Sequence, residues 1–326
     1  MKQKLILLFT CLSSCLFATA QEDSCKNDHA DAIGSPTDNP ATLVTGPTDN
    51  FTNRPESSTM DADQPVSLSD DYRHVVRSTM VGAGFSNVFD TYLSPLEYKG
   101  PEVRFLLENM KMTRLMGGKV SSQHLFQINF SYTKNPNKAV KSYSGLVNWS
   151  YALHYQKQYN ERLKILFGPM IDVNAGVIYN QRNSNNPAQA KAYASLGASA
   201  MAIYKFHIGH CPVTLRYQAN LPLMGIMFSP EYGESYYEIF ELKNGGKNVL
   251  FTSLHNMPSL RQMVTFDVPV KHSILRIGYI CDIQQAKVNN LKSHMYGHDF
   301  MVGVVRNLYL LKGKRHANMR PNGSPF

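Results

Sequence analysis

Past its first twenty residues the sequence has no run of eighteen apolar residues, so it offers no transmembrane helix. It has neither a Gly-x-Ser-x-Gly nucleophile elbow nor a His-Glu-x-x-His zinc motif, so the commonest short signatures of hydrolases are missing. Cysteine is scarce. Of the five cysteines, Cys11 and Cys15 fall in the N-terminal segment, leaving Cys25, Cys211 and Cys281, an odd number with no close spacing. That pattern implies neither a disulfide framework nor a zinc site. Cys281 sits in a strand pattern and reads as a small apolar residue. Charge is also sparse, at 17% of residues. The formal net charge is +9, but the basic residues are scattered apart from Lys312, Lys314, Arg315 and Arg320. No nucleic-acid footprint is visible, and no nucleic-acid partner is expected.

What is present begins with an export signal. Lys2 and Lys4 precede an apolar run from Leu5 to Phe17, and Ala18-Thr19-Ala20 offers a small-x-small cleavage site. Residues 1–20 are therefore expected to be a signal peptide. The rival is a lipoprotein cut before Cys15, after Leu12-Ser13-Ser14. That cut would shorten the apolar region to about seven residues, at the low edge of a working signal. Residues 21–72 are crowded with Asp, Asn, Ser, Thr, Pro and Gly, and as far as about residue 70 they hold one aromatic residue, Phe51. Such a stretch buries too little apolar surface to offset its conformational entropy, and a disordered periplasmic tail is expected there.

From Arg73 onward the period becomes two. Tyr143, Val147, Trp149, Tyr151, Leu153 and Tyr155 share one face, against Ser144, Asn148, Ser150, His154 and Gln156 on the other. Phe126 to Thr133 and Val213 to Leu221 repeat the rule. Ten such segments are found, at 74–90, 102–115, 123–134, 143–157, 162–180, 190–208, 212–228, 259–270, 273–287 and 298–310. The links between them alternate short and long, which is what a membrane barrel with short periplasmic turns and long extracellular loops requires. A soluble barrel would carry Lys, Glu and Asp on its outer face. Here the polar face is mostly Ser, Thr, Asn, Gln and Gly, which suits a lumen. Tyr132, Tyr155, Tyr179 and Tyr279 are read as interfacial aromatics near strand ends.

The reading is an all-β fold: a transmembrane, antiparallel, up-and-down β-barrel over residues 73–311, of about ten strands, located in the outer membrane. A hairpin of 236–242 with 247–253 around Asn244-Gly245-Gly246 would raise the count to twelve. Residues 312–326 form a basic C-terminal extension. Leu166-Phe167-Gly168-Pro169, the run from Tyr217 to Leu223, and Pro258 to Gln262 resemble an uncharacterised outer-membrane barrel family of Bacteroidales-type bacteria. The resemblance spans about residues 72–312 and implies location and architecture without a known activity.

For function, no catalytic motif is found and the catalytic residues, if any, stay unknown; no metal or cofactor site is expected. His294 and His298 with Asp299 are the nearest approach to one, and they read as loop histidines without a role, as do His207 and His210. Ser195 and Ser199, set among alanines and Gly197, read as small packing residues. The remaining signal is a set of inward-facing charges: Asp172, Arg216, Arg261, Asp267, Arg276 and Asp282. Their signs balance, which favours cross-strand pairing over ion selectivity. If residues 271–272 form a turn, opposed positions place Asp267 across from Arg276 and Arg261 across from Asp282.

The leading expectation is a non-enzymatic barrel, either a narrow channel or a structural envelope protein. The alternatives are a lipid- or peptide-modifying enzyme at the extracellular rim and a periplasm-facing scaffold. Expected partners are outer-membrane lipid and the barrel-assembly machinery, with a small solute or an envelope protein as a further possibility.

Overall fold

The computed structural model describes residues 73–182, 186–241, 245–270, 273–311 and 314–316. The signal peptide, the tail and the turn at 271–272 lie outside them.

Ten long strands close into an antiparallel barrel. They are β1 (Arg73–Asp90), β2 (Ser94–Met112), β3 (Val120–Lys134), β4 (Lys141–Gln158), β5 (Leu163–Asn180), β6 (Ala188–Ile208), β7 (Cys211–Phe228), β9 (Leu260–Val270), β10 (Ser273–Val288) and β11 (Leu291–Leu311). Each pairs with its neighbour in sequence, β7 pairs with β9, and β1 pairs with β11 to shut the wall. Closure leaves no unpaired edge, which is how an all-β chain satisfies its backbone without water. Because the strand number is even, β1 starts and β11 finishes at the same end, called here the terminal end.

The twelve-strand alternative is not formed. Tyr236–Phe240 is a short helix, α1, because Ser235 caps it: its hydroxyl accepts from the Glu238 N–H, and the Glu238 carboxylate accepts from the Ser235 N–H. β8 (Val249–Ser253) pairs with the upper part of β7 instead. Of the basic C-terminal segment, β12 (Lys314–His316) adds to β11 at Tyr309–Leu311, and the remainder lies outside the described residues.

Loop lengths also differ from expectation. At the far end, β1 and β2 are joined by residues 91–93 alone, and β10 and β11 by Asn289 and Asn290. Polar residues such as Ser94, Glu97 and Lys99, which look like loop in sequence, continue the ladder beyond the apolar band. Asn289 and Asn290 both take positive φ, 51° and 60°, as the favoured two-residue hairpin turn demands. The one long excursion, residues 229–259, carries α1 and β8. Tyr279 sits midway along β10 rather than at a strand end.

Alternation determines the two faces. Val81, Phe85, Phe105, Phe130, Val147 and Phe300 are among many large apolar residues left exposed on the outer wall. Inward positions are occupied largely by buried Ser, Thr, Asn, Gln and charged residues, which outnumber the buried apolar ones among the described residues. The molecule is apolar outside and polar within, the reverse of a soluble barrel.

Candidate functional site

The lumen is where charged side chains converge. Three apolar layers cross it. Val76, Met110, Leu166, Met201, Ile274 and Val305 form the layer nearest the terminal end. Met80, Leu106, Leu125, Met263, Ile280 and Met301 lie midway. Val88, Leu146, Ile178 and Met295 follow towards the far end. Along β2, β10 and β11 the charged residues fall at inward positions between these layers, so they form two clusters.

The lower cluster lies between the first two layers. Arg216 on β7 grips Glu108 on β2 with both terminal nitrogens, at 2.7 and 2.8 Å. Arg276 on β10 adds a third donor to Glu108 at 2.5 Å and holds Asp267 on β9 by two bonds of 2.6 Å. Gln123 also donates to Glu108, at 2.6 Å, and the His154 imidazole lies 2.9 Å from the Ser199 hydroxyl. Strands β2 and β7 are not neighbours, so the Arg216–Glu108 pair spans the lumen.

The upper cluster is centred on Arg104. Its Nε donates to Asp299 at 2.7 Å, Nη2 to Glu102 at 2.6 Å, and Nη1 to Asp282 at 3.1 Å and to Gln127 at 2.9 Å. Arg261 donates to Asp282 at 3.2 Å, to Asp172 at 3.3 Å and to the Asn148 side-chain Oδ1 at 2.8 Å. Gly297 makes room for this, since a Cβ there would stand 2.8 Å from Arg104 Nη2. Arg104 and Arg276 are fully buried, at 2% and 1% exposure. Charges removed from water to this degree persist only when paired and hydrogen-bonded on every side.

All six charges singled out from the sequence, Asp172, Arg216, Arg261, Asp267, Arg276 and Asp282, lie buried in these two clusters. The hairpin register runs as read: Asp267 is opposite Arg276, Arg261 opposite Asp282, and Val264 opposite Tyr279. Glu102, Arg104 and Glu108 join those six charges, though none was singled out in the sequence. Their signal was present, because they share an even-numbered face of β2 with Leu106 and Met110. Asp299 was read as a loop neighbour of two histidines, yet it is fully buried on β11. Alternation sends it inward and leaves His294 and His298 on the outer face. There His298 Nδ1 lies 2.7 Å from the Tyr279 hydroxyl, and His294 stacks on Phe89 and Tyr296. No convergent trio of His, Cys, Asp or Glu able to hold a metal occurs among the described residues. Ser195 and Ser199 are buried inward on β6, with Ser199 donating to Asn220 at 2.7 Å. Cys211 is disulfide-bonded, so the odd cysteine count did not exclude a disulfide.

Little space remains between these groups. A void of about 30 Å³ lies beside Asn174, Lys191 and Tyr193, and voids of about 10 Å³ lie next to Arg261 and next to Arg104. Each is of the order of one or two water molecules. At the far end Lys191 pairs with Asp90. Above them the excursion folds onto the barrel: Tyr236 accepts from the Ala190 N–H at 2.6 Å, and the Tyr92 hydroxyl donates to the Glu234 carbonyl at 2.7 Å. Burial, then Tyr236 and the nearby carboxylates, push that Tyr92 hydroxyl up to about 12, so it stays a donor.

Among known proteins, the model of a family described as "Protein of unknown function (DUF3316)" matches residues 56–315. No curated protein matches the sequence. Solved structures that resemble the chain include the transport unit of the autotransporter AIDA-I from Escherichia coli. It is 6% identical, covers 78% of this chain and 94% of its own, and has a TM-score of 0.36. The translocator domain of autotransporter NalP from Neisseria meningitidis is 11% identical over 74% and 89% of the two chains, with a TM-score of 0.32. An outer membrane channel from Pseudomonas putida F1 is 9% identical over 72% and 95%, also at 0.32.

Proposed function

The chain belongs to the family described as protein of unknown function DUF3316, and we propose that it is an outer-membrane barrel with a filled, closed lumen, serving as a non-enzymatic envelope protein rather than as an open channel. The observation that carries this reading is the lumen itself. It is crossed by ion pairs between non-adjacent strands, such as Arg216–Glu108 from opposite walls and Arg104–Asp282, between three apolar layers. The voids beside Arg104 and Arg261 are of water size, and a steady ion path needs a continuous wet column. Membrane placement is supported by the exposed apolar residues on the outer wall and by the export signal read from the sequence. On this reading the barrel faces outer-membrane lipid, is inserted by the assembly machinery of the envelope, and meets any envelope partner through its rim rather than its lumen. Bacteroidales-type bacteria are the source that the sequence resemblance implies.

Planar-bilayer recording of the purified protein tests the proposal. We expect no steady current at moderate voltage. Reproducible unitary conductance steps from the unmodified protein would overturn the closed-lumen reading in favour of a channel.

A further inference from the structure

Three lysines lie side by side on the outer wall at the far end. Lys99 on β2 is opposite Lys134 on β3, and Lys134 is opposite Lys141 on β4. All three point outward by alternation: Lys134 shares a face with the exposed Phe130, and Lys141 with the exposed Tyr143 and Val147. Side chains so opposed start about 4.5–5.5 Å apart, where like charges repel. Their own strands do little to relieve this. The sequence holds no Asp or Glu between Glu108 and Glu161, so β3 and β4 bring no acid to the row. Glu97, on β2, is already engaged by Lys99 at 3.3 Å and by Asn87 at 3.2 Å. Lys138, exposed in the turn between β3 and β4, adds a further positive charge nearby.

The row also has a definite height on the wall. One side-chain repeat nearer the middle, about 7 Å along the strands, Tyr132, Tyr143 and Tyr179 form a parallel row across β3, β4 and β5. The Tyr132 and Tyr143 rings lie 5.3 Å apart, and Lys134 Nζ stands 5.4 Å from the Tyr132 ring centroid. Past the tyrosines come the exposed Phe130, Val147 and Val177. Apolar band, tyrosines, then lysines is the order met on passing from hydrocarbon into lipid headgroups. The longest connection, residues 229–259, lies at this same end, which makes it the extracellular one. We propose that Lys134 and Lys141, with Lys99 beside them, bind the phosphate of an anionic lipid in the outer leaflet, an inference that rests on the membrane placement given above. Ammonium groups donate to phosphate oxygens, and a phosphate seated between opposed lysines turns their repulsion into attraction. The acyl chains of the same lipid would lie along Phe130 and Val147. Free phosphate lacks that second contact, so the lipid is the better occupant.

The test is native mass spectrometry of the full-length protein in detergent, titrated with phosphorylated lipid A, with the same lipid stripped of its phosphates, or with inorganic phosphate. The phosphorylated lipid is expected to bind roughly tenfold or more tightly than either of the others. Lys134→Gln with Lys141→Gln should weaken it roughly ten- to thirtyfold and leave the stripped lipid unaffected. Lys134→Arg with Lys141→Arg, which keeps both charges, should hold the lipid. Lys119→Gln with Lys157→Gln, which removes the same charge from exposed positions at the terminal end, should also hold it. If the double Gln variant does not fold, Lys141→Gln alone carries the test. Equal affinity for the two lipids, tight binding that survives the loss of Lys134 and Lys141, or an equal loss in the terminal-end variant would each overturn the proposal. Inorganic phosphate binding as tightly as the lipid would assign the row to a free anion and overturn it too. A barrel that conducts yet keeps phosphate-dependent lipid binding would sink the closed-lumen reading and leave this site standing, and a silent barrel without that binding would do the reverse.

Discussion

Asp267 and Arg276 face each other across the β9–β10 hairpin, and the guanidinium Nε and Nη2 each donate to one carboxylate oxygen at 2.6 Å. For a pair in a wet lumen, 0.2–1 kcal/mol would be the ordinary scale. These side chains are nearly inaccessible, at 2% and 4% exposure, so a different rule governs them.

Removing one partner of a buried pair strands the other. Arg276→Met should therefore destabilise the folded barrel by about 3–5 kcal/mol, and Arg276→Met with Asp267→Leu should recover much of the loss. Urea unfolding of the refolded barrel, followed by its heat-dependent migration, checks this. A single substitution as mild as the double one would mean the cluster is hydrated.

The apolar layer nearest the terminal end should behave like a protein core despite lying inside a lumen. Leu166 is completely buried among Val76, Met110 and Met201. Leu166→Ala should cost about 2–5 kcal/mol. An effect below about 1 kcal/mol in the same unfolding assay would show the layer to be loosely packed.

Register can be tested by cross-linking. Val264 and Tyr279 are directly opposed, whereas Val264 and Gly278 are offset by one and point to opposite faces. In a Cys281→Ser background, Val264→Cys with Tyr279→Cys should oxidise readily, because opposed Cα atoms lie about 4.5–5.5 Å apart. Val264→Cys with Gly278→Cys should not. The reverse outcome would mean the hairpin has slipped by one residue.

The β10–β11 turn makes a local prediction. Asn290 holds φ of 60°, a region that costs a β-branched residue roughly 1–2 kcal/mol. Asn290→Val should destabilise by about that amount, and Asn290→Gly should be neutral or mildly stabilising. Equal stabilities for the two variants would show that the turn adopts another conformation.

Features that depend on short-range rules were legible in the sequence. Period two assigned Asp172, Arg216 and Arg261 to the inner face and Val147 and Trp149 to the outer one, because a strand turns its side chains over at every residue. The β9–β10 register was equally legible, since a tight turn fixes all later pairs and a slip would move every side chain to the wrong face. The limits of β2 and β11 were not legible. Polar residues at 94–101 and 291–297 continue a ladder that hydropathy alone reads as loop. The tertiary structure alone decided which charges meet. Closure of ten strands brings Glu108 on β2 to Arg216 on β7 and Arg104 to Asp282 on β10, pairings set by strand number and stagger rather than by any local pattern. The charge imbalance of the upper cluster arises in the same way. Each strand contributes one or two ordinary inward residues, and only closure gathers four acids around two arginines.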